Sequence, residues 1–177
     1  MLVTTNDDVV EGSAETSMSV DRQSGTLVIG IGNNLLTDDG AGIHVINRLS
    51  QRNLPEDVEL LDGGTLGFTL LENIETAARL IVVDAAQLHA EPGTVQVLRN
   101  AEMDDYLGGS TRSSVHEVNL LDMMVAARFR GRLPDEYALV GIQPAKVDWG
   151  SNPTEVVDQA VDRAADLIES MLEEAMA

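Results

Sequence analysis

Three short, β-branched apolar runs constrain this chain more than any other feature: Thr26–Ile31 (TLVIGI), Leu80–Ala85 (LIVVDA) and Tyr137–Ile142 (YALVGI). Near-continuous apolar runs of this length read as strands covered on both faces, because a half-exposed strand alternates apolar with polar residues. Val58–Leu61, closed by Asp62-Gly63-Gly64-Thr65, and Thr94–Leu98, after the turn Glu91-Pro92-Gly93, read as two further strands. Between them the period changes to that of a helix. Gly40–Leu49 carries Ile43, Ile46 and Leu49 on one side, and Phe68, Leu71 and Ile74 make a short helical face. Glu117–Phe129 aligns Leu120, Leu121, Met124 and Ala127. For the last helix, Asn152 is expected to N-cap, with Pro153 at the first position and Glu155 as the capping-box carboxylate. Val157, Val161, Ala164, Ile168 and Met171 follow as its apolar stripe. Buried strands alternating with amphipathic helices predict an α/β sandwich with a largely parallel sheet.

The chain has 177 residues, 44% of them hydrophobic, enough for one domain of ordinary size. Residues 1–24 are polar and acidic except for Val9 and Val10, and bury too little to offset ordering. They are expected to form a disordered tail, with 25–177 as a single folded domain. Eleven basic residues stand against 30 acidic ones, a formal charge of −19. Such a field repels phosphate backbones and anionic lipid, and suits a basic or cationic partner. The absence of cysteine removes disulfides, thiolate metal sites and a cysteine nucleophile together. No apolar run approaches the ~18 residues of a membrane span, and the N-terminus lacks the apolar region of a secretory signal. A cytoplasmic location follows as the expectation.

Ligands of open parallel sheets bind beyond the carboxyl ends of the strands. Here that edge receives the loop Gly30–Gly40, the turn beginning at Asp62, Asp84 itself, and Ser113-Ser114-Val115-His116 at the start of a helix. Gly30-Ile31-Gly32 opens like a dinucleotide fingerprint, but Leu35 stands where the third glycine belongs. Lys146 has no glycine-rich loop before it, no Gly-x-Ser-x-Gly elbow occurs, and His116-Glu117 meets Leu120 where a zincin needs its second histidine. Asp39, Asp84 and His116 remain, all assigned to one sheet edge. Two carboxylates gathered there repel unless a cation neutralises them, and a divalent metal with an imidazole as third ligand does so. The same residues also fit ordinary roles. Asp38 or Asp39 caps the helix near Gly40, Asp84 ends a strand, and His116 starts a helix. His44 and His89 read as structural or surface residues.

Several of these motifs, in this order, resemble the NiFe-hydrogenase maturation endopeptidases. They are Gly30-Ile31-Gly32-Asn33, Asp38-Asp39-Gly40-Ala41-Gly42, Leu61-Asp62-Gly63-Gly64-Thr65, Val83-Asp84-Ala85, His116 and Val140-Gly141-Ile142-Gln143-Pro144. The resemblance runs from about Leu27 into the last helix. It implies a three-layer fold, a twisted sheet of about five strands between helices. It also implies an aspartyl-type endopeptidase that removes the C-terminal extension of the hydrogenase large-subunit precursor after nickel insertion. Nickel, carried by the precursor, would then be the recognition element, held by Asp39, Asp84 and His116. Asp62 would join those three as a catalytic residue, while Gly63, Gly64, Thr65 and Gln143 would contact the substrate. A monomer with no nucleotide cofactor is expected. A metal-dependent escort of the large subunit that cuts nothing is the alternative, and a nucleotide-dependent oxidoreductase a third. The acidic N-terminal tail departs from the family pattern, whose members begin almost at the first strand.

Overall fold

The computed structural model describes residues 23–64, 70–109 and 115–174, and their side chains except those of residues 23, 24 and 115–118. The elements are β1 (Gln23–Ile31), a 3-10 helix (Thr37–Gly40), α1 (Ala41–Leu49), β2 (Val58–Gly64), α2 (Leu71–Thr76) and β3 (Ala77–Ala85). They continue with β4 (Val95–Arg99), α3 (Ala101–Gly108), α4 (Val115–Phe129), β5 (Glu136–Ile142) and α5 (Glu155–Glu174). One sheet runs in the order β2-β1-β3-β5-β4. Its first three pairings are parallel, and β4 lies antiparallel to β5. All five expected strands are present. The expected tail, 1–24, falls outside the described residues up to Arg22. Its last two residues are already strand, since Gln23 pairs with Ala77.

Alternation along the strands divides the core into two layers. Val28, Ile81, Val83, Val140 and Ile142 face α1 and α5, where Val45, Leu49, Val157, Val161 and Ile168 complete the layer. Leu27, Ile29, Leu80, Val82 and Leu139 face the other way, against Ile74 of α2, Met103 and Leu107 of α3, and Leu120, Met123 and Met124 of α4. Both strand faces are therefore buried, which is why these strands read as continuous apolar runs.

Two helices differ from expectation. The sequence pattern contains no α3, because only Met103 and Leu107 of its eight residues are buried, too few to set a period. The last helix begins at Glu155, and the backbone N–H groups of Val157 and Asp158 bond the Thr154 carbonyl. Asn152 and Pro153 lie ahead of the helix and take no capping role. The apolar stripe of α5 is otherwise as expected, with Met171 packed at its edge.

The approach of α1 to the sheet positions everything at its N-terminus. A Cβ on Gly42 would sit 2.2 Å from the Val83 carbonyl oxygen and 2.4 Å from that of Ile31. A Cβ on Gly30 would sit 2.3 Å from the Gly42 carbonyl oxygen. Glycine on both sides lets helix and strand backbones touch, so the first turn of α1 rests on the ends of β1 and β3. At the other end of α1, Arg48 pairs with Asp158 and Asp162, and Arg52 with Asp166 and Glu169, tying it to α5. Exposed pairs of this kind add only about 0–1 kcal/mol each.

Gly42→Ala is expected to lower the unfolding free energy by about 2–3 kcal/mol, the cost of overpacking rigid backbone. Gly108→Ala, whose Cβ meets nothing within 4 Å, is expected to be neutral or slightly stabilising. Urea unfolding of the two variants checks the contrast.

Candidate active site

The loop after β1 folds back on itself. Gly32 adopts φ +135°, and a Cβ there would lie 2.0 Å from the Asp39 carbonyl oxygen. Gly32 N–H bonds the Gly64 carbonyl (3.0 Å), joining the ends of β1 and β2, and Asn33 N–H bonds the Asp39 carbonyl (3.3 Å). The chain then enters the 3-10 helix that carries Asp38 and Asp39.

Asp38 is fully buried. Its Oδ2 accepts hydrogen bonds from Ala145 N–H (2.9 Å), Lys146 N–H (2.8 Å) and Thr154 Oγ1 (3.0 Å). Its Oδ1 accepts one from Thr154 N–H (2.6 Å). The helix-cap reading of this doublet is therefore corrected: neither the 3-10 helix nor α1 has a side-chain cap. Asp38 instead holds the loop after β5 and the start of α5 against the loop after β1. Sequence reasoning missed this role. A signal was available in an acidic doublet of which only one member was needed for chemistry.

Asp39, half-buried, follows directly, and its 3-10 helix lies against β3. Asp84, 2% exposed, is the penultimate residue of β3 and pairs with Gly141 of β5. Val83, one residue earlier, pairs with Gly30, so Asp84 stands just beyond the β1 end on which α1 rests. It shares the parity of Leu80 and Val82, which lie in the α4-side layer. His116 is the second residue of α4. The far end of α4 leads through residues 130–135 into the start of β5, so its N-terminus lies at the carboxyl edge of the sheet, with Asp84. The His116 imidazole itself lies outside the described residues. Among the described residues, no three His, Cys, Asp or Glu side chains form a group able to hold a metal ion. The N-termini of α1 and α4 both point their partial positive charge at this edge, which favours carboxylates there.

Asp62 lies two residues before the end of β2, beside Gly30, and is exposed. Its Oδ1 accepts the Gly64 N–H at 2.9 Å, a turn that Gly64 permits at φ +49°. The pairing steps from Gly30 with Asp62 to Ile31 with Gly64, so Gly63 is the extra residue of a bulge. A Cβ on Gly63 would meet Ile29 Cγ2 at 2.8 Å and Ile31 Cγ2 at 3.0 Å. Internal packing against Ile29 and Ile31 therefore requires a glycine there. Thr65 lies outside the described residues. Gln143 was expected to touch substrate, but it is buried and its amide is engaged internally. Oε1 accepts from Leu88 N–H (2.8 Å), and Nε2 donates to Gln87 Oε1 (2.7 Å). Its geometry makes it a brace for the loop that follows Asp84. His44 is half-buried in α1 and His89 is exposed. A cavity of about 400 Å³ lies at the opposite, amino edge of the sheet, among Thr26, Arg79, Arg99, Tyr137 and Leu172. It is remote from these carboxylates.

Residues 43–171 match the HycI family of hydrogenase maturation proteases. The hydrogenase expression/formation protein HupM of Azotobacter chroococcum is 38% identical over 140 residues, 78% of this chain and 66% of that protein. The hydrogenase 2 maturation protease of Escherichia coli is 35% identical over 150 residues, covering 84% of this chain and 90% of that one. The solved structure of the E. coli hydrogenase maturating endopeptidase HybD superposes with a TM-score of 0.80 at 35% identity, over 85% of this chain and 93% of that one. The α/β fold is that of a maturation endopeptidase, and the chain belongs to the hydrogenase maturation protease family.

Asp38→Ala leaves three part-buried backbone N–H groups and the Thr154 hydroxyl without their acceptor and is expected to cost about 3 kcal/mol. Asp38→Asn, which keeps one acceptor oxygen, is expected to cost distinctly less. Urea unfolding midpoints of the two variants measure the difference.

Proposed function

We propose that this protein cleaves the C-terminal extension from the large-subunit precursor of a NiFe hydrogenase, and that nickel already seated in the precursor marks the substrate as ready. The single observation that carries the reading is the pair of acidic residues at one sheet edge. Asp84 stands at the end of β3, and Asp39 lies on the 3-10 helix packed against that strand. The position of His116 at the N-terminus of α4, on the same edge, supports it as the third ligand.

The chemistry follows from that placement. Two carboxylates brought together at one sheet edge would repel each other, and a divalent cation would relieve the repulsion. A precursor carrying nickel supplies the cation, and a precursor lacking it does not, so binding discriminates between them. Nickel held there, as part of the substrate, would polarise the scissile carbonyl or a bound water. Asp39, Asp84 and His116 would fix its position and thereby that of the peptide bond. Asp62 is the proposed general base. It takes a proton from the attacking water as the water oxygen bonds to the carbonyl carbon, and the proton passes to the leaving amine as the C–N bond breaks. The exposure of Asp62 and the turn that fixes its Oδ1 support that role. Gln143 enters this scheme as a positioning residue, bracing the loop beyond Asp84. The reaction is assigned to the cytoplasm and to a monomer, without a nucleotide cofactor. Consistent with that, no helix among the described residues is long and apolar enough to cross a membrane.

Mass spectrometry of the precursor's C-terminus tests the proposal. Nickel-loaded precursor is expected to lose its extension and nickel-free precursor to keep it. Asp84→Asn is expected to lower cleavage at least about 100-fold, and Asp62→Asn to lower kcat by about 10²–10⁴. Binding of nickel-loaded precursor with no loss of mass would replace the protease by a non-cutting escort.

A further inference from the structure

We infer that Leu35, Val147 and Trp149 form the surface on which the folded body of the protein substrate docks. This rests on the protease reading above. The three side chains are 57%, 54% and 80% exposed. They project from two loops that the backbone welds together at the mouth of the site. Gly150 N–H bonds the Leu35 carbonyl at 2.9 Å, and Thr37 N–H bonds the Gly150 carbonyl at 2.7 Å. Thr37 Oγ1 donates to the Lys146 carbonyl (2.9 Å) and accepts from Asp148 N–H (3.1 Å). Asp148 Oδ1 accepts Trp149 N–H at 2.8 Å, and its Oδ2 pairs with Lys146 Nζ at 3.1 Å.

The cost of presenting these side chains has thus been met in folding. An exposed tryptophan on a braced loop loses little further freedom on binding, the property of an anchor residue. Roughly 300–400 Å² of apolar side chain stands in water there, the size of a typical functional patch. A standard self-association interface needs about 800 Å² per partner, so the patch alone is too small for a stable dimer. It is one part of a larger contact, and its neighbour is the cleavage edge, since Leu35 lies four residues before Asp39 along the same loop. The surrounding field is strongly acidic, at −19 for the chain. The matching face is therefore an apolar pocket with a basic rim on the precursor's folded body. The severed extension is instead handled at Asp62 and Asp84.

Trp149 is the chain's single tryptophan, which makes the test direct. The full-length protease is labelled with 5-hydroxytryptophan, so that its emission is separated from that of the precursor, and titrated with nickel-loaded precursor. The emission is expected to shift to the blue and acrylamide quenching to fall severalfold. In cleavage assays Trp149→Ala is expected to raise KM about 30-fold with kcat within twofold, the loss of a central anchor. Phe129→Ala, 92% exposed at the far end of α4, is expected to change neither. An unmoved spectrum on saturation, or an unchanged KM in Trp149→Ala, overturns the inference. So does a blue shift that appears with rising protease concentration alone, which would assign the patch to a second copy. The spectral readout needs no catalysis. If the precursor binds through Trp149 but is never cut, the protease reading fails and the docking surface stands.

Discussion

The carboxylate of Asp38 is the interaction on which the working edge of this molecule depends. A buried charge is tolerated only where donors surround it, and Asp38 receives four: three backbone N–H groups and a hydroxyl. Those donors lie more than a hundred residues further along the chain, in the loop after β5 and at the start of α5. One side chain therefore sets the position of the loop after β1 relative to both. Everything placed at this edge inherits that geometry. Asp39 follows it in sequence, Thr37 precedes it and braces the opposite loop, and Thr154 joins it to the longest helix.

Close backbone approach does the complementary work. Gly30 and Gly42 let α1 touch the ends of β1 and β3, and the 3-10 helix is carried onto β3 as a result. Asp39 and Asp84 stand forty-five positions apart in the sequence, yet the 3-10 helix that carries one lies against the strand that carries the other. On the proposed reading, bringing the two carboxylates together at this edge would cost a mutual repulsion that a cation relieves. The helix N-termini at the same edge offset part of that cost when no cation is present.

Much of this was legible in the sequence, and the failures have physical causes. The central strands β1, β3 and β5 read clearly because both of their faces are buried, which makes their apolar runs unambiguous, while the half-exposed edge strands β2 and β4 were marked by the turns beside them. α3 was invisible because Met103 and Leu107 are its only buried side chains, and two residues do not define a period. The start of α5 was placed too early because Asn152-Pro153 carries every local mark of a helix entry. The actual start is set by Asp38 gripping Thr154, a contact no local pattern contains. The internal packing of Gly63 and the internal bonds of Gln143 were hidden for a similar reason. A glycine that makes room for a ligand looks the same in sequence as one that makes room for Ile29 and Ile31. The amide of Gln143 is likewise turned inward by partners, Leu88 and Gln87, that follow a different strand.

The same bonded pair of loops also bears on selectivity. Leu35, Val147 and Trp149 lie on segments joined to the backbone of the 3-10 helix through Thr37 and Asp38. A body docked on that patch and a cation brought to Asp39 thus act on one rigid unit, with no hinge between them. Rigid coupling makes the two contacts interdependent: seating the body fixes where its metal must lie. A precursor with the right body but no nickel would then keep the docking contact and lose the ionic one. A free cation would keep the ionic contact but would have no means of bringing a peptide bond to the proposed base, Asp62. On the proposed reading, only the loaded precursor would satisfy both at the spacing the fold imposes, and discrimination would be the product of two modest affinities on a shared scaffold.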